Sequence, residues 1–288
     1  MHSLVNRHKL NSQDIPEILR QIELPPKQLF YSGVEIDDWL KQPLLGVVGS
    51  RKMTSYGADT VDKLVSAAAR AGVCIISGLA YGVDAKAHQV ALDNGALTVA
   101  VLPTSLDNIY PAGHRNLAER IKASGGLISE YGPEDPIYKV NFTDRNRLIA
   151  GLSDALLIPE AAVNSGSLHT ARYALTQGKT VMAVPGNITS ASSEGCNNLI
   201  KSGAIAVTEP GDIFLALGLN IKRQNKRTFK GTAVEGKVYK QIENGVSDQE
   251  AIAAGLNLGG GEMAAVLTSL EINGYIKPLG SGHWTSQI

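Results

Sequence analysis

The sequence has no excess of either charge sign: 27 lysines and arginines balance 27 aspartates and glutamates. That excludes an overall cationic protein of the kind that coats nucleic acid non-specifically, so any polyanion site has to be a local patch. Cysteine is nearly absent. Cys74 lies in an apolar stretch and Cys196 in a Gly-Cys-Asn turn, which fits neither a disulfide framework nor a metal cluster; a reducing cytoplasm is expected, with no metal and no cofactor. Long apolar runs are missing as well. The N-terminal MHSLVNRHKLNSQDIPEILR lacks a signal peptide's apolar core, and no segment supplies the roughly 18 uninterrupted apolar residues of a membrane helix. A soluble protein without a membrane partner is expected, and its 288 residues are enough for two domains.

What is present is an alternation. Short apolar runs at LLGVVG (44–49), VCIIS (73–77), LTVAVL (97–102), GLIS (126–129), ALLIP (155–159), TVMAVP (180–185) and AIAV (204–207) read as strands. Between most of them lie helical stretches such as YGADTVDKLVSAAARAG and SLHTARYALTQG, where Leu168, Ala171 and Leu175 recur on one face. Continuous apolar strands with crossover helices predict a mostly parallel, doubly wound α/β sheet over residues 43–217. Residues 1–42, with the Pro-rich ELPPKQLFYSG, read as a lead-in packed on that core. Residues 218–231 carry Lys222, Arg223, Lys226, Arg227 and Lys230 without apolar periodicity and read as a basic linker. Residues 232–288 read as three helices and a hairpin, the order of a winged helix, with Ser247 and Glu250 as a capping box at the second helix.

In an open parallel sheet, ligands bind beyond the carboxyl ends of the strands, where backbone N–H groups and helix N-termini point outward. Four strand ends here carry loops of a suitable kind. The first runs into Gly49-Ser50-Arg51, the second into SGLAYGVD, the fifth into EAAVNSGSLHT and the sixth into Pro185-Gly186. Glycine lets amides approach an anion, serine adds a hydroxyl, and arginine offers a planar fork suited to phosphate. Ser50, Arg51, Ser165, Gly166 and Ser167 are therefore candidate phosphate contacts, although turn formation and helix capping would also account for some of them. Gly78 and Gly82 do not make the dinucleotide GxGxxG. Asp84 reads as the N-cap of the next helix, and His88 as a structural histidine rather than a catalyst.

The stretch FTDRNRLIAGLSDALLIPE (142–160) places two arginines before an apolar run. With a helix starting near Asp144, Leu148, Ile149 and Leu152 form a stripe, and Arg145 points inward toward an internal partner, Glu130 or Glu160. Arg147, two residues from Ile149, faces away from the stripe and is free for a ligand. Lys139 and Phe142, upstream in a segment read as extended, pair a cation with a ring, as single-strand recognition requires.

The motifs VVGSR, SGLAYGVDAKAH, LPTSLDNIYPAGHRNLAERI, FTDRNRLIAGLSDALLIPEAAVNSGSLHTARYAL, VMAVPGN and GCNNLIKSGA occur in this order between about residues 25 and 217. In this the chain resembles the DNA-processing protein A family, also called DprA or Smf. The resemblance implies an extended Rossmann-like domain that binds single-stranded DNA, forms a homodimer and hands the strand to the RecA recombinase during natural transformation. It also implies DNA contacts at Ser50, Arg51, Lys139, Phe142 and Lys179, with Gly49, Arg145 and Arg147 building the pocket wall. Two departures stand out. Only about 40 residues precede the core where many members carry a helical domain, and Asn164 stands where a basic residue is common. Two other functions compete. A nucleoside monophosphate hydrolase of related topology would need a glutamate in the loop NSGSLHTARY, which has tyrosine instead and leaves Glu160 unassigned. A duplex-specific regulator would read DNA with GGEMAAVLTSLEING, which has two glutamates and no basic residue; a protein-contact or packing role suits that helix better.

Overall fold

The computed structural model describes residues 4–219, 229 and 231–286, in two compact units, Met1–Asn220 and Ile221–Ile288. In the first unit the strands are β1 (Leu4–Asn11), β2 (Gln28–Val34), β3 (Leu44–Val47), β4 (Cys74–Ser77), β5 (Thr98–Leu102), β6 (Gly125–Ser129), β7 (Ala155–Ile158), β8 (Thr180–Ala183) and β9 (Ile205–Ala206). They form one sheet in the order β1-β2-β6-β5-β4-β3-β7-β8-β9. From β6 to β9 every pairing is parallel. The chain winds outward from β3 in one direction and resumes at β7 on its other side. The topological switch point therefore lies between β3 and β7.

Strands β3, β4, β5 and β7 are buried along their whole length, so successive side chains feed opposite apolar layers. Leu45, Val47, Ile75 and Leu157 pack with Val61, Leu64 and Val65 of the helix Ser55–Arg70 and with Ala87 and Val90 of the helix Val83–Asp93. Leu44, Ile76, Leu156 and Ile158 face the other way, onto Leu148, Ile149 and Leu152 of the helix Asn146–Leu152 and Ala171 and Ala174 of the helix Ser167–Thr176. This sandwich is the α/β architecture that the apolar runs predict.

The lead-in packs its apolar side chains into the core of the first unit and also extends the sheet. It contributes two strands, β2 pairing antiparallel with β6 and β1 with β2. Tyr31 and Trp39 are buried, and the Trp39 indole N–H donates to the Tyr31 hydroxyl at 3.2 Å. Leu19 and Ile22 lie against Gly151, so this segment covers a face of the helix Asn146–Leu152 that the helical wheel leaves to solvent.

The second unit consists of the helices Ala233–Glu243, Gln249–Leu256 and Gly260–Ile272, followed by the antiparallel hairpin β10 (Ile276–Gly280) and β11 (His283–Ser286). Val238, Ile242, Ile252, Leu267, Leu270 and Ile276 form its core. The second helix is capped by Asp248, which accepts from Glu250 and Ala251 N–H groups, and not by Ser247. The reciprocal capping box belongs to Thr232 and Glu235, at the start of the first helix. Most of the basic linker at 218–231, including its five basic side chains, lies outside the described residues. Among the described residues no single helix is long and apolar enough to cross a membrane.

Gly126 shows how tightly β2 is fastened to the core. A Cβ there would stand 2.5 Å from the Tyr31 ring, which is buried and held by Trp39. Gly126→Ala is therefore expected to cost about 1–3 kcal/mol by overpacking, measured as a lower urea midpoint at unchanged slope; an unchanged midpoint would show that the ring can move.

Candidate functional site

At the carboxyl ends of β3 and β7 the loops carrying Gly49-Ser50-Arg51 and Ser165-Gly166-Ser167 face each other across a cleft of about 820 Å³. Lys52, Ala80, Asp84, Phe142, Arg145, Asn146, Asn164, Thr170 and Ser192 also line it. The loops are cross-braced: Ser50 N–H donates to the Glu160 carbonyl at 2.8 Å, and Val83 N–H to the Ser50 carbonyl at 3.1 Å. Gly82, at φ +77°, makes the second contact possible, since a Cβ there would lie 2.2 Å from the Ser50 oxygen. Arg51 and Lys52 are exposed at the rim. The Ser165 and Ser167 hydroxyls are 2.7 Å apart at the start of the helix Ser167–Thr176.

One buried arginine organises the neighbouring wall. Arg145 is only 4% exposed, and its guanidinium donates to the Gly78 carbonyl at 2.7 Å, to the Val101 carbonyl, and through Nε to Asn146 Oδ1 at 3.2 Å. Burial pulls its pKa down to about 10, with Asp84 opposing that shift. The inward orientation agrees with the sequence, but the partner does not: main-chain carbonyls and the field of Asp84 replace Glu130 and Glu160. Asp84 is not the N-cap, a position held by Gly82. Its buried carboxyl accepts the Gly78 N–H at 3.1 Å. Burial raises its pKa, while Arg145 and the N–H groups of Gly78, Ala80 and Gly49 act the other way. Amides that were candidate phosphate donors are thus turned toward an internal carboxylate.

Arg147 is a correction. It is 8% exposed and makes a two-pronged ion pair with Glu130, with both N–O distances at 2.6 Å. It lines a different cleft, beside Arg20, Lys27 and Tyr138. The helix Asn146–Leu152 is buried from Arg147 to Leu152, so the side opposite the stripe is not open to ligand. Lys139 and Phe142 are also corrected in backbone: they belong to a short helix, Lys139–Asp144, rather than an extended segment. Lys139 is exposed, and no ion pair among the described residues holds it or Arg51. Lys179 immediately precedes β8, which puts it at the amino edge of the sheet, away from the cleft.

Glu160, unassigned in the sequence, accepts the Thr54 N–H at 3.1 Å and the Thr54 hydroxyl. It fixes the start of the helix Ser55–Arg70. His88 is fully buried, and its Nδ1 lies 2.7 Å from Thr98 Oγ1. Because that hydroxyl donates to the Ile75 carbonyl, it accepts from His88, which fixes the proton on Nδ1. The histidine is structural. Tyr81 and Tyr110, which the sequence did not single out, flank Arg51 and Phe142 in an adjoining recess.

A family model described as DNA recombination-mediator protein A matches residues 7–218. The DNA processing protein DprA of Streptococcus pneumoniae is 42% identical over 198 residues, covering 69% of each chain. Its X-ray structure superposes with a TM-score of 0.68 at 40% identity, over 72% of this chain and 73% of that one. DNA processing protein A from Helicobacter pylori, solved for its single-stranded DNA binding mode, gives a TM-score of 0.67 at 32% identity, over 75% of this chain and 98% of that one. The chain spans about half to two thirds of the length of several further curated relatives it matches.

Two stability measurements check this geometry. Glu130→Gln leaves a nearly buried guanidinium half-paired and is expected to cost about 3 kcal/mol in chemical unfolding, while Glu130→Leu combined with Arg147→Met costs less; equal losses would deny the coupling. Burial first, then the Arg145 and His114 charges, lowers the His88 pKa from 6.5 to about 3. Since the folded value lies below the unfolded one, the unfolded chain takes the proton first. His88's contribution is complete above pH 6.5 and lost as pH falls toward 3, at up to about 1.4 kcal/mol per pH unit. The stability difference between wild type and His88→Gln should therefore slope across that window, and a flat difference would contradict the buried neutral ring.

Proposed function

Because the chain belongs to the DNA recombination-mediator protein A family, we propose that it binds single-stranded DNA in the cleft between the ends of β3 and β7. The observation that carries this is the division of charge around that cleft. Arg145, and Arg147 in the neighbouring cleft, are consumed internally, whereas Arg51, Lys52 and Lys139 are exposed and no ion pair among the described residues neutralises them. Phosphates along the groove would meet Arg51, the Ser50 loop and the Ser165-Gly166-Ser167 turn, with Lys139 and Phe142 on the flank. Unpaired bases need a ring as well as cations, and Phe142 lines the same cleft. The carboxylates nearest the cleft, Asp84 and Glu160, are engaged with backbone amides and Thr54, which favours binding over hydrolysis.

On the family resemblance we also propose that the protein works as a homodimer in the cytoplasm and passes the strand to the RecA recombinase in natural transformation. The second unit is proposed to be a winged helix used for protein contact. Its helix Gly260–Ile272 has glutamates at 262 and 271 and no lysine or arginine, a poor match to a phosphate backbone.

A salt titration tests the binding site. Wild type should prefer an oligothymidine strand to a duplex of equal length, with affinity falling as NaCl rises. Arg51→Ala and Lys139→Ala should each weaken binding and reduce the log–log salt slope by about 0.7, the share of one single-strand phosphate contact. Unchanged affinity and slope in both folded variants would move the site elsewhere.

A further inference from the structure

Tyr81 and Tyr110 are 53% and 48% exposed on two different loops that meet beside Arg51 and Phe142. Tyr110 stands edge-to-face on Phe142, with ring centres 5.0 Å apart and planes at 82°. Tyr81 stands edge-to-face on His114, at 4.7 Å and 66°. We propose that Tyr81 and Tyr110 form a base-stacking ledge that continues the Phe142 ring outward, so that the strand's bases rest on aromatic faces while its phosphates follow the Arg51 side. This inference rests on the single-strand assignment above and extends it from the backbone to the bases.

The alternative is that these tyrosines merely hold their loops, as Tyr56 does. Tyr56 is exposed to a similar degree, 49%, but its hydroxyl donates to the Pro185 carbonyl at 2.7 Å. Among the described residues the Tyr81 and Tyr110 hydroxyls have no such partner. The Tyr81 loop is already held by other bonds: Val83 N–H to the Ser50 carbonyl, Arg145 to the Gly78 carbonyl, and His114 Nδ1–H to the Leu79 carbonyl at 2.9 Å. The rings are therefore preset and spare.

Size separates stacking from insertion. The recess among Tyr81, Tyr110, Phe142 and Arg51 holds about 30 Å³, close to one water's share of liquid volume. A nucleobase does not fit inside it. A base lying parallel to one ring of the Tyr110–Phe142 corner meets the other edge-on, an arrangement that the aromatic quadrupoles favour. Stacking tolerates any base, because each has a π-face. The ledge should therefore add affinity without sequence preference.

The test compares oligothymidine with an abasic strand of equal length, across an NaCl series, using the full chain. Tyr81→Leu and Tyr110→Leu should each weaken oligothymidine binding about tenfold, with the salt slope unchanged, and leave the abasic strand nearly unaffected; Tyr81→Phe and Tyr110→Phe should bind as wild type. The ring partner of Tyr81 is His114 and that of Phe142 is Tyr110, so the Tyr81 variant reports on the ledge even if Tyr110→Leu disturbs Phe142. The ledge is overturned if the leucine variants bind oligothymidine as wild type does, or lose the abasic strand equally, while Arg51→Ala still weakens both. Failure of wild type to bind any strand in a salt-dependent way would overturn the single-strand assignment and the ledge together.

Discussion

The buried guanidinium of Arg145 is the constraint on which the site depends. By donating to the carbonyls of Gly78 and Val101 it ties the ends of β4 and β5 to the junction between the helices Lys139–Asp144 and Asn146–Leu152. A charge this deep is tolerable only where carbonyls and a carboxylate answer it, and Asp84 is that carboxylate. Asp84 in turn takes the Gly78 N–H, so one loop is gripped from both its donor and its acceptor side. Gly78 is required here, because a Cβ would lie 2.5–2.7 Å from the guanidinium. Phe142, one helical turn before Arg145, is aimed at the cleft as a result.

This arrangement separates structural from available charge. Asp84–Arg145 and Glu130–Arg147 are internal, and Glu160 closes on Thr54. What remains exposed on the cleft lining is Arg51 and Lys52, with Lys139 exposed on the helix that carries Phe142. On the proposed reading, a protein with balanced charge offers these cations to a strand from loops that are braced on one another. Such preorganisation reduces the ordering cost of binding.

Much of this was legible in the sequence, and the failures have physical causes. The seven parallel strands announce themselves as apolar runs bounded by glycine and polar turns, and the carboxyl-edge rule then brings residues 49–51 and 165–167 together. Strand β2 stands just after Pro25-Pro26, and the apolar alternation of β1 is too short to stand out. A helical wheel leaves Arg147 to solvent because it presumes one wet face, whereas Leu19 and Ile22 close the far side. Arg145's inward orientation followed from periodicity, but its partners are main-chain oxygens and a carboxylate far off in sequence, which no spacing rule supplies. The same holds for Tyr81 and Tyr110, whose proximity to Phe142 is created by the fold. The family resemblance implies a DNA contact at Lys179, yet a residue that enters a parallel strand lies at the edge opposite those that leave it.

The most direct measurement is zero-length photocrosslinking of a halogenated oligouridine-type single strand to the full chain, with the adducts mapped by mass spectrometry. Attachment concentrated on the segments around Phe142, Tyr81 and Tyr110 would bear out a strand gripped along the carboxyl edge at the switch point. Attachment concentrated near Lys179 or in the second unit would contradict it.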